Sequence, residues 1–337
     1  MIKVLSFPSR HPYTSKFHGS GEILFANPET DYFNKIGGEA TPEFISTKHP
    51  KDSYDLVHIH FSFDKLSVSE LTKLLDYFDY IEKPIIWTCH SRESQREKNV
   101  EGGKLQGLLY ARSKKIITLT EGCKSWIKNT YGASKDIEVV PLGYMLDPDA
   151  LPKYKQNLSL KNKTNFVYLL GESRKNKESY FSIKDFLDSP ELSGSNLTII
   201  LKPRFASDST LNLTRSSSRI RLISMDEIPN KILAKTFCES HVCMLPYLWG
   251  THSGQVELCK DCGCYPVISN VGFYREQSEQ VFEFDYDENM SDFTKNFIKA
   301  LVKATKMPLL TPNPEQRKTE FISILQRHND LYRSALT

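Results

Sequence analysis

The feature that most constrains the fold is a repeated alternation of short apolar runs with helix-like segments along the chain of 337 residues. Such alternation is typical of parallel strands joined by crossover helices. Ser67 and Glu70 have the spacing of a capping box and predict the start of one helix. The apolar runs of the first half are residues 4–7, 54–61, 84–88, 115–120 and 137–140.

A second series of apolar runs follows a break in this pattern. Residues 147–163 are rich in Pro, Lys and Asn and lack periodicity, as expected of a linker between domains. The later runs are residues 165–170, 197–201, 220–223, 242–245 and 265–269. The sequence therefore predicts an α/β protein with two doubly wound, Rossmann-like domains facing across a cleft, at 1–150 and 151–311. Residues 312–337 are predicted to form a C-terminal helix that packs back toward the first domain.

Composition and charge exclude several functional classes. The formal net charge is only +3, with acids and bases interspersed, so the basic face of a nucleic-acid binder is missing. The apolar run at the start of the chain ends at Pro8 and Arg10 and is too short for a signal peptide. No stretch approaches the ~20 apolar residues of a membrane span. The seven scattered cysteines favour reduced thiols. We expect a cytoplasmic protein whose contact with a membrane, if any, is peripheral and at its inner face.

One motif is more specific than these patterns. Residues 242–257 contain Pro-Tyr-Leu-Trp-Gly-Thr-His-Ser-Gly and then Glu257, and residues 262–269 contain Cys-Gly and Pro-Val-Ile-Ser. This segment resembles the donor-binding segment of retaining GT-B glycosyltransferases of family four, specifically a bacterial subgroup with a Trp-Gly-Thr-His-Ser-Gly motif. The segments of the first half that agree in order with this family are residues 55–60, 86–90, 117–121 and 139–143.

The resemblance implies a glycosyltransferase that moves a sugar from a nucleoside diphosphate to an acceptor with retention of anomeric configuration. Its setting would be glycan or glycoconjugate biosynthesis. The first domain would face the acceptor, which is a glycan, a lipid-linked compound or a small molecule, and the second would bind the nucleotide sugar. No cofactor is implied, since the donor is a substrate.

Cations and helix N-termini are the groups that neutralise a leaving diphosphate when no metal is used. The resemblance implies that Arg174 and Lys177 contact the diphosphate and that Glu257 binds the ribose hydroxyls. Lys202 and Arg204 follow a predicted strand and are expected at the same edge of the sheet. The backbone N–H groups at the start of the following helix are expected to cradle a phosphate. That helix start consists of Thr251, His252, Ser253 and Gly254. A solvated basic turn and an ordinary first-turn glutamate are the alternative interpretations.

The first domain supplies the other candidates. His90 ends a predicted strand where the family has a histidine beside the donor sugar, and it is the candidate catalytic residue. The candidates on the acceptor side are Arg10, His11, Tyr13 and His60. Structural roles remain open for all of them.

The chain also departs from the family pattern. Trp249 stands where the family has the first of two glutamates. A catalytically silent GT-B binding subunit and a nucleotide-sugar epimerase therefore remain alternatives. Cys259, Cys262 and Cys264 have the look of a metal cluster, but they fall in a predicted helix and buried strand, where cysteine usually acts as a small apolar residue. We therefore expect no metal.

Overall fold

The computed structural model describes two compact units. It covers residues 1–18, 21–28, 40–61, 63, 66–92, 100–151, 161–171, 175–205 and 207–337. The first unit comprises Met1–Leu142 and Glu320–Thr337, and the second comprises Gly143–Thr319. The boundary near residue 150 stays a prediction, and residues 152–160 of the expected linker lie outside the described ranges.

Unit 1 is built on a six-stranded, wholly parallel sheet in the order β2-β1-β3-β4-β5-β6. The strand order reverses between β1 and β3, which creates a topological switch point at their carboxyl ends. The strands are β1 (Ile2–Phe7), β2 (Ile23–Phe25), β3 (Leu56–His60), β4 (Ile85–Cys89), β5 (Lys115–Thr118) and β6 (Ile137–Val139).

Three of the helices of unit 1 begin at a residue whose side chain caps the helix. The Ser67 side chain accepts a hydrogen bond from the Glu70 N–H, and the Glu70 side chain accepts one from the Ser67 N–H, so the predicted capping box is confirmed. Thr41 and Thr120 cap two other helices in the simpler way, through the side-chain oxygen alone. The helices are α1 (Pro42–Lys48), α2 (Val68–Tyr80), α3 (Val100–Arg112) and α4 (Glu121–Tyr131).

Unit 2 has a second six-stranded parallel sheet in the order β12-β11-β10-β7-β8-β9. Counted within the unit, this is the 3-2-1-4-5-6 order of dinucleotide-binding sheets, with the switch point between β7 and β10. The strands are β7 (Asn162–Gly171), β8 (Asn196–Leu201), β9 (Ile220–Ser224), β10 (Ser240–Leu245), β11 (Tyr265–Ser269) and β12 (Phe282–Phe284).

Helices cover both faces of this second sheet, and each face has its own apolar core. The sheet is therefore buried on both sides, which explains why its strands read as continuous apolar runs. The helices are α5 (Tyr180–Asp188), α6 (Asp208–Arg215), α7 (Asn230–Glu239), α8 (Gly254–Cys262), α9 (Met290–Thr305) and α10 (Pro314–Leu336). Helix α10 begins in unit 2 and continues in unit 1.

The predicted α/β architecture with two parallel sheets is confirmed, and a strand occupies every predicted apolar run. The short strands β2 and β12 were not predicted from the sequence. Among the described ranges, every helix is too short or too polar to traverse a lipid bilayer.

Candidate functional site

Two loops meet at the switch point of unit 2, one after β7 and one after β10. Lys177 and Tyr247 form an isolated antiparallel bridge between them. The N–H of Glu178 donates to the Pro246 carbonyl at 2.9 Å, and the N–H of Leu248 donates to the Asn176 carbonyl at 2.8 Å. Backbone bonds thus fix both loops at the edge where this class of sheet binds nucleotides.

The predicted cations follow neighbouring strand ends. Lys177 donates to the Leu169 carbonyl at 2.8 Å and lies over the Tyr247 ring, with Nζ 5.4 Å from its centroid. The Lys202 N–H donates to the Gly171 carbonyl at 2.9 Å, which places Lys202 beside the end of β7. Arg204 is exposed in the short turn that follows β8. Arg174 lies outside the described residues.

The loop after β10 leads directly into α8. Ser253 caps this helix, since its Oγ accepts the Gln255 N–H at 3.1 Å and lies 3.0 Å from the Tyr247 hydroxyl. The Ser253 N–H, which the sequence predicted as part of a phosphate cradle, donates to Gln277 Oε1 at 2.7 Å. The N–H groups of Val256 and Glu257 donate to the Ser253 carbonyl at 3.1 and 3.4 Å, and the phosphate contact of this turn stays a prediction. Thr251 is buried and His252 is partly buried in the same loop.

Glu257, the predicted ribose ligand, lies on the first turn of α8 with a side chain that is 3% exposed. Its Oε1 accepts a hydrogen bond from Gln277 Nε2 at 3.0 Å. Its Oε2 lies 2.7 Å from Arg317 Nη2 and 3.6 Å from Lys260 Nζ. Both carboxylate oxygens are thus engaged within the protein, and the ribose contact stays a prediction.

The ion pair of Glu257 extends to the first residues of unit 2. Arg317 Nε donates to Asp261 Oδ1 at 2.8 Å, and Asp261 Oδ2 accepts the N–H groups of Met145 and Leu146 at 2.7 and 3.0 Å. Burial raises the pKa of Asp261 to about 6, against the opposing effect of Arg317. Asp261 thus holds the first segment of unit 2 through two backbone hydrogen bonds.

The first glycine of the Trp-Gly-Thr-His-Ser-Gly motif, Gly250, is required for steric reasons. A Cβ on Gly250 would overlap the hydroxyl of Tyr274, and a Cβ on Gly272 would lie 2.6 Å from Cζ of the same ring. The Phe273 N–H donates to the Thr251 carbonyl at 2.8 Å and joins the two loops. The residue after Trp249 must therefore lack a side chain.

Unit 1 gathers three of its predicted site residues at its own switch point. The ring centroids of Tyr13 and His90 are 4.7 Å apart, and those of Tyr13 and His60 are 5.3 Å apart, both edge to face. Tyr13, His60 and His90 are 1, 1 and 3% exposed. Among the described residues, neither ring nitrogen of His60 has a hydrogen-bond partner. A fully buried polar side chain without partners is uncommon and marks this cluster for attention.

Phe61 holds His90 from the other side. Its φ is +70°, a conformation that costs a bulky residue of the order of 1–3 kcal/mol. Trp87 Nε1 donates to the Phe61 carbonyl at 2.6 Å. In this conformation the Phe61 ring stacks on His90 with centroids 4.0 Å apart. His11 packs edge to face on the same ring at 5.0 Å, whereas Arg10 is exposed.

Further histidines surround His60. His58 lies 2.7 Å from both the Tyr332 hydroxyl of α10 and the Thr88 hydroxyl of β4, and its ring centroid is 3.9 Å from that of His60. The Nε2 atom of His328 lies 3.4 Å from the Tyr13 hydroxyl, within hydrogen-bonding distance. Burial lowers the pKa of His58 and His60 well below the usual 6.5 and that of His328 to about 4. These imidazoles are neutral at physiological pH.

Several solved structures have the same fold. HepE from Anabaena in complex with UDP-glucose matches with TM-score 0.64, 11% identity and coverage of 99% of this chain and 100% of that one. Sucrose-phosphate synthase from Thermosynechococcus elongatus matches with TM-score 0.59, 13% identity and coverage of 87% and 76%. The α,α-trehalose 6-phosphate synthase from Burkholderia multivorans matches with TM-score 0.58, 13% identity and coverage of 88% and 73%.

The chain has the GT-B fold. A family model described as Glycosyltransferase Family 4 matches residues 39–147 of this GT-B chain, about a third of its length. No curated protein matches the sequence.

Several contacts of the two candidate clusters, one in each unit, could not be predicted from the sequence. Gln277, Arg317, His328 and Tyr332 lie far along the chain from their partners, and no spacing motif connects them. The cysteines of α8 and β11 are buried free thiols. In the part of the chain that the structure describes, no group of three or more His, Cys, Asp or Glu residues is arranged to hold a metal ion.

Proposed function

We propose that this protein is a retaining glycosyltransferase that transfers a sugar from a nucleoside diphosphate to an acceptor hydroxyl. The observation that carries the proposal is the junction at the switch point of unit 2, where the Lys177 loop and the N-terminus of α8 lie side by side. The GT-B fold and the match of residues 39–147 to the Family 4 model support it. HepE, which carries UDP-glucose in its structure, provides the donor class by analogy.

The donor diphosphate needs positive groups as the sugar leaves. Lys177, at the end of the loop after β7, is one such group, and Arg174 in the same loop is the second by sequence. The Gly254 N–H and the dipole of α8 add favourable potential at the helix N-terminus. Glu257 on the first turn is proposed to bind the ribose.

The transfer itself forms a bond between the acceptor oxygen and the anomeric carbon on the face that the diphosphate leaves. The bond from that carbon to the phosphate oxygen breaks, and the acceptor proton moves to the departing phosphate. The protein then mainly positions the sugar and stabilises developing charge. His90, fixed between Tyr13 and Phe61, is proposed to position the sugar. Because Lys177 and backbone N–H groups would neutralise the charge of the leaving diphosphate, we propose that no divalent metal is required.

Donor binding is tested first. UDP, GDP, ADP and TDP, each alone and as hexose conjugates, are screened by thermal shift and then by calorimetry, because a ligand stabilises only the state that binds it. Arg174→Ala with Lys177→Ala should raise the Kd of the best nucleotide by roughly 10- to 150-fold per charged hydrogen bond lost. Lys184→Ala is the matched control, since Lys184 pairs with Asp188 at the surface of the same unit. Equal affinity of the double variant and the control would contradict the assignment.

Turnover is tested separately. Activity should survive EDTA, and loss of turnover that magnesium or manganese restores would overturn metal independence. Trp249 at the position of the family's first glutamate favours the catalytically silent subunit as the second candidate. A protein that binds a nucleotide sugar yet neither hydrolyses nor transfers it would establish that role. A product with an altered sugar still attached to the nucleotide would instead establish an epimerase.

A further inference from the structure

A single amide side chain holds two parts of the predicted donor site in unit 2. Gln277 lies between β11 and β12 and is 9% exposed. Its Nε2 donates to the Ser253 carbonyl at 3.1 Å and to Glu257 Oε1 at 3.0 Å. Its Oε1 accepts the Ser253 N–H at 2.7 Å. All three contacts are of normal length, so every polar atom of the amide has a partner.

Gln277 is not needed to start the helix. Ser253 already caps α8 through its own Oγ, as serine does in many helices. The bonds from Gln277 fix instead the orientation of the Ser253 peptide and of the Glu257 carboxylate, one turn further along. A second effect of these bonds is that the rotamer of Glu257 is set from outside the helix.

Arg317 holds the same carboxylate from the other side, with Nη2 2.7 Å from Oε2. A carboxylate offers about four acceptor positions, and these two residues fill one on each oxygen. The carboxylate plane is thereby defined by one neutral and one charged donor. Such a supporting shell is what a binding residue requires in order to meet a ligand without reorganising.

We propose that Gln277 is a positioning residue of the donor site, which holds Glu257 and the first turn of α8 in the arrangement that the nucleotide binds. This rests on the proposed function, because it assumes that a nucleoside diphosphate binds at α8. The expected defect is in donor binding. A misplaced Glu257 and first turn of α8 would weaken the binding of the donor equally in the ground state and in the transition state.

Gln277→Met keeps the size of the side chain and removes all three hydrogen bonds. The Kd of UDP, GDP, ADP or TDP, whichever the wild-type protein binds best, should rise about tenfold, with a matching rise in donor KM. The kcat for transfer or hydrolysis should stay within about twofold. Gln280→Met is the matched control, because Gln280 is an exposed residue of the same loop, and it should leave both values unchanged.

Gln277→Glu provides an arm that depends on pH. The new carboxyl keeps the acceptor for the Ser253 N–H and places a second acid beside Glu257, whose charge raises the pKa of the new group. When protonated, its single O–H donates to Glu257 Oε1, while the Ser253 carbonyl loses its side-chain donor. The Kd of this variant relative to wild type should therefore be raised about tenfold at pH 8, and the ratio should be smaller at lower pH.

The outcomes separate this proposal from the proposed function. Wild-type protein that binds none of the four nucleotides would refute both. Nucleotide binding by wild type, with unchanged or tighter binding by Gln277→Met, would overturn only the positioning role, and tighter binding would show that Gln277 competes with the donor. If Gln277→Met does not fold, Gln277→Glu decides alone: weaker nucleotide binding than wild type at pH 8 supports the proposal, and binding as tight as wild type at pH 8 overturns it.

Discussion

Arg317 and Glu257 form an ion pair of 2.7 Å in which each side chain is 3% exposed. The same guanidinium reaches Asp261 through Nε at 2.8 Å, and Asp261 is fully buried. One cation of α10 therefore compensates two carboxylates of α8 that have little contact with water. Buried charges are costly unless they are paired and hydrogen-bonded, so this arrangement depends on Arg317.

Arg317→Met should therefore destabilise unit 2 by about 3–5 kcal/mol, because it leaves the buried Asp261 without a cation and Glu257 with only Lys260, at 3.6 Å. Arg333→Met is the matched control on the same helix. The Arg333 pairs with Glu22 and Asp330 are solvent-exposed, and removing them should cost less than about 1 kcal/mol. Urea unfolding followed by circular dichroism gives both values, and equal losses in the two variants would show that the buried network does not stabilise the unit.

Acid should destabilise unit 1. His58, His60 and His328 have a folded pKa below the usual 6.5, so below pH 6.5 the unfolded chain binds more protons than the folded one. The free energy of unfolding then falls as pH falls, by about 1.4 kcal/mol per pH unit for each group. His328, with its pKa at about 4, alone accounts for roughly 3 kcal/mol between pH 6.5 and 4.

His60→Phe isolates one of these contributions. The phenyl ring does not titrate, and His60 has no hydrogen-bond partner among the described residues that would be lost. Stability at pH 7 should be equal or higher, and the slope against pH between 5 and 6.5 should be shallower than in wild type. An unchanged slope in His60→Phe would refute the contribution of this histidine.

Asp261 has the opposite effect on stability in unit 2. Its raised pKa of about 6 means that the folded state binds more protons than the unfolded state between pH 4 and 6, so its contribution to stability grows as the pH falls.

Much of the fold follows from local sequence. Runs such as residues 242–245 and 265–269 are apolar because both faces of their strands are covered, and the capping box of Ser67 and Glu70 is complete within four residues. Nearest-neighbour patterns therefore predict these elements. The order of strands within each sheet required the structure, because pairing joins residues that are distant in sequence.

The candidate site divides in the same way. Ser253 and Glu257 could be predicted from a motif, whereas Gln277 and Arg317 reach them across 20 and 60 positions without any spacing rule. Two short side chains on one turn leave a local signature in sequence. A single amide or guanidinium arriving from another element leaves none, and only packing in three dimensions identifies it.

Gly250→Ala should disturb the loop that precedes α8. The added Cβ overlaps the Tyr274 hydroxyl, while the next nearest ring atom, Cζ, lies at 3.4 Å. Overpacking of this kind typically costs about 1–3 kcal/mol. Tyr274→Phe removes the overlapping atom. Gly250→Ala should therefore cost much less stability when it is introduced into Tyr274→Phe than when it is introduced into the wild-type protein. Gly194→Ala is the control, because a Cβ there meets nothing within 4 Å. Failure of the second substitution to recover stability in thermal unfolding would show that the clash is not the cause.

The last prediction concerns His90 and the anomeric outcome. His90 is 3% exposed and lies between Phe61, stacked at 4.0 Å, and Tyr13, edge-on at 4.7 Å, so its ring has one orientation. An imidazole packed between two rings in this way suits the positioning of a sugar hydroxyl. His90→Ala should therefore reduce turnover by roughly 10- to 1,000-fold with a smaller change in donor Kd, since the lost contact matters most as the sugar leaves. His49→Ala, at the end of α1, is the matched control and should keep wild-type rates. Proton NMR of the transfer product should give the same anomeric configuration as the donor. An inverted product would contradict the retaining assignment, and a His90→Ala variant with wild-type turnover would show that the transferred sugar does not depend on this cluster.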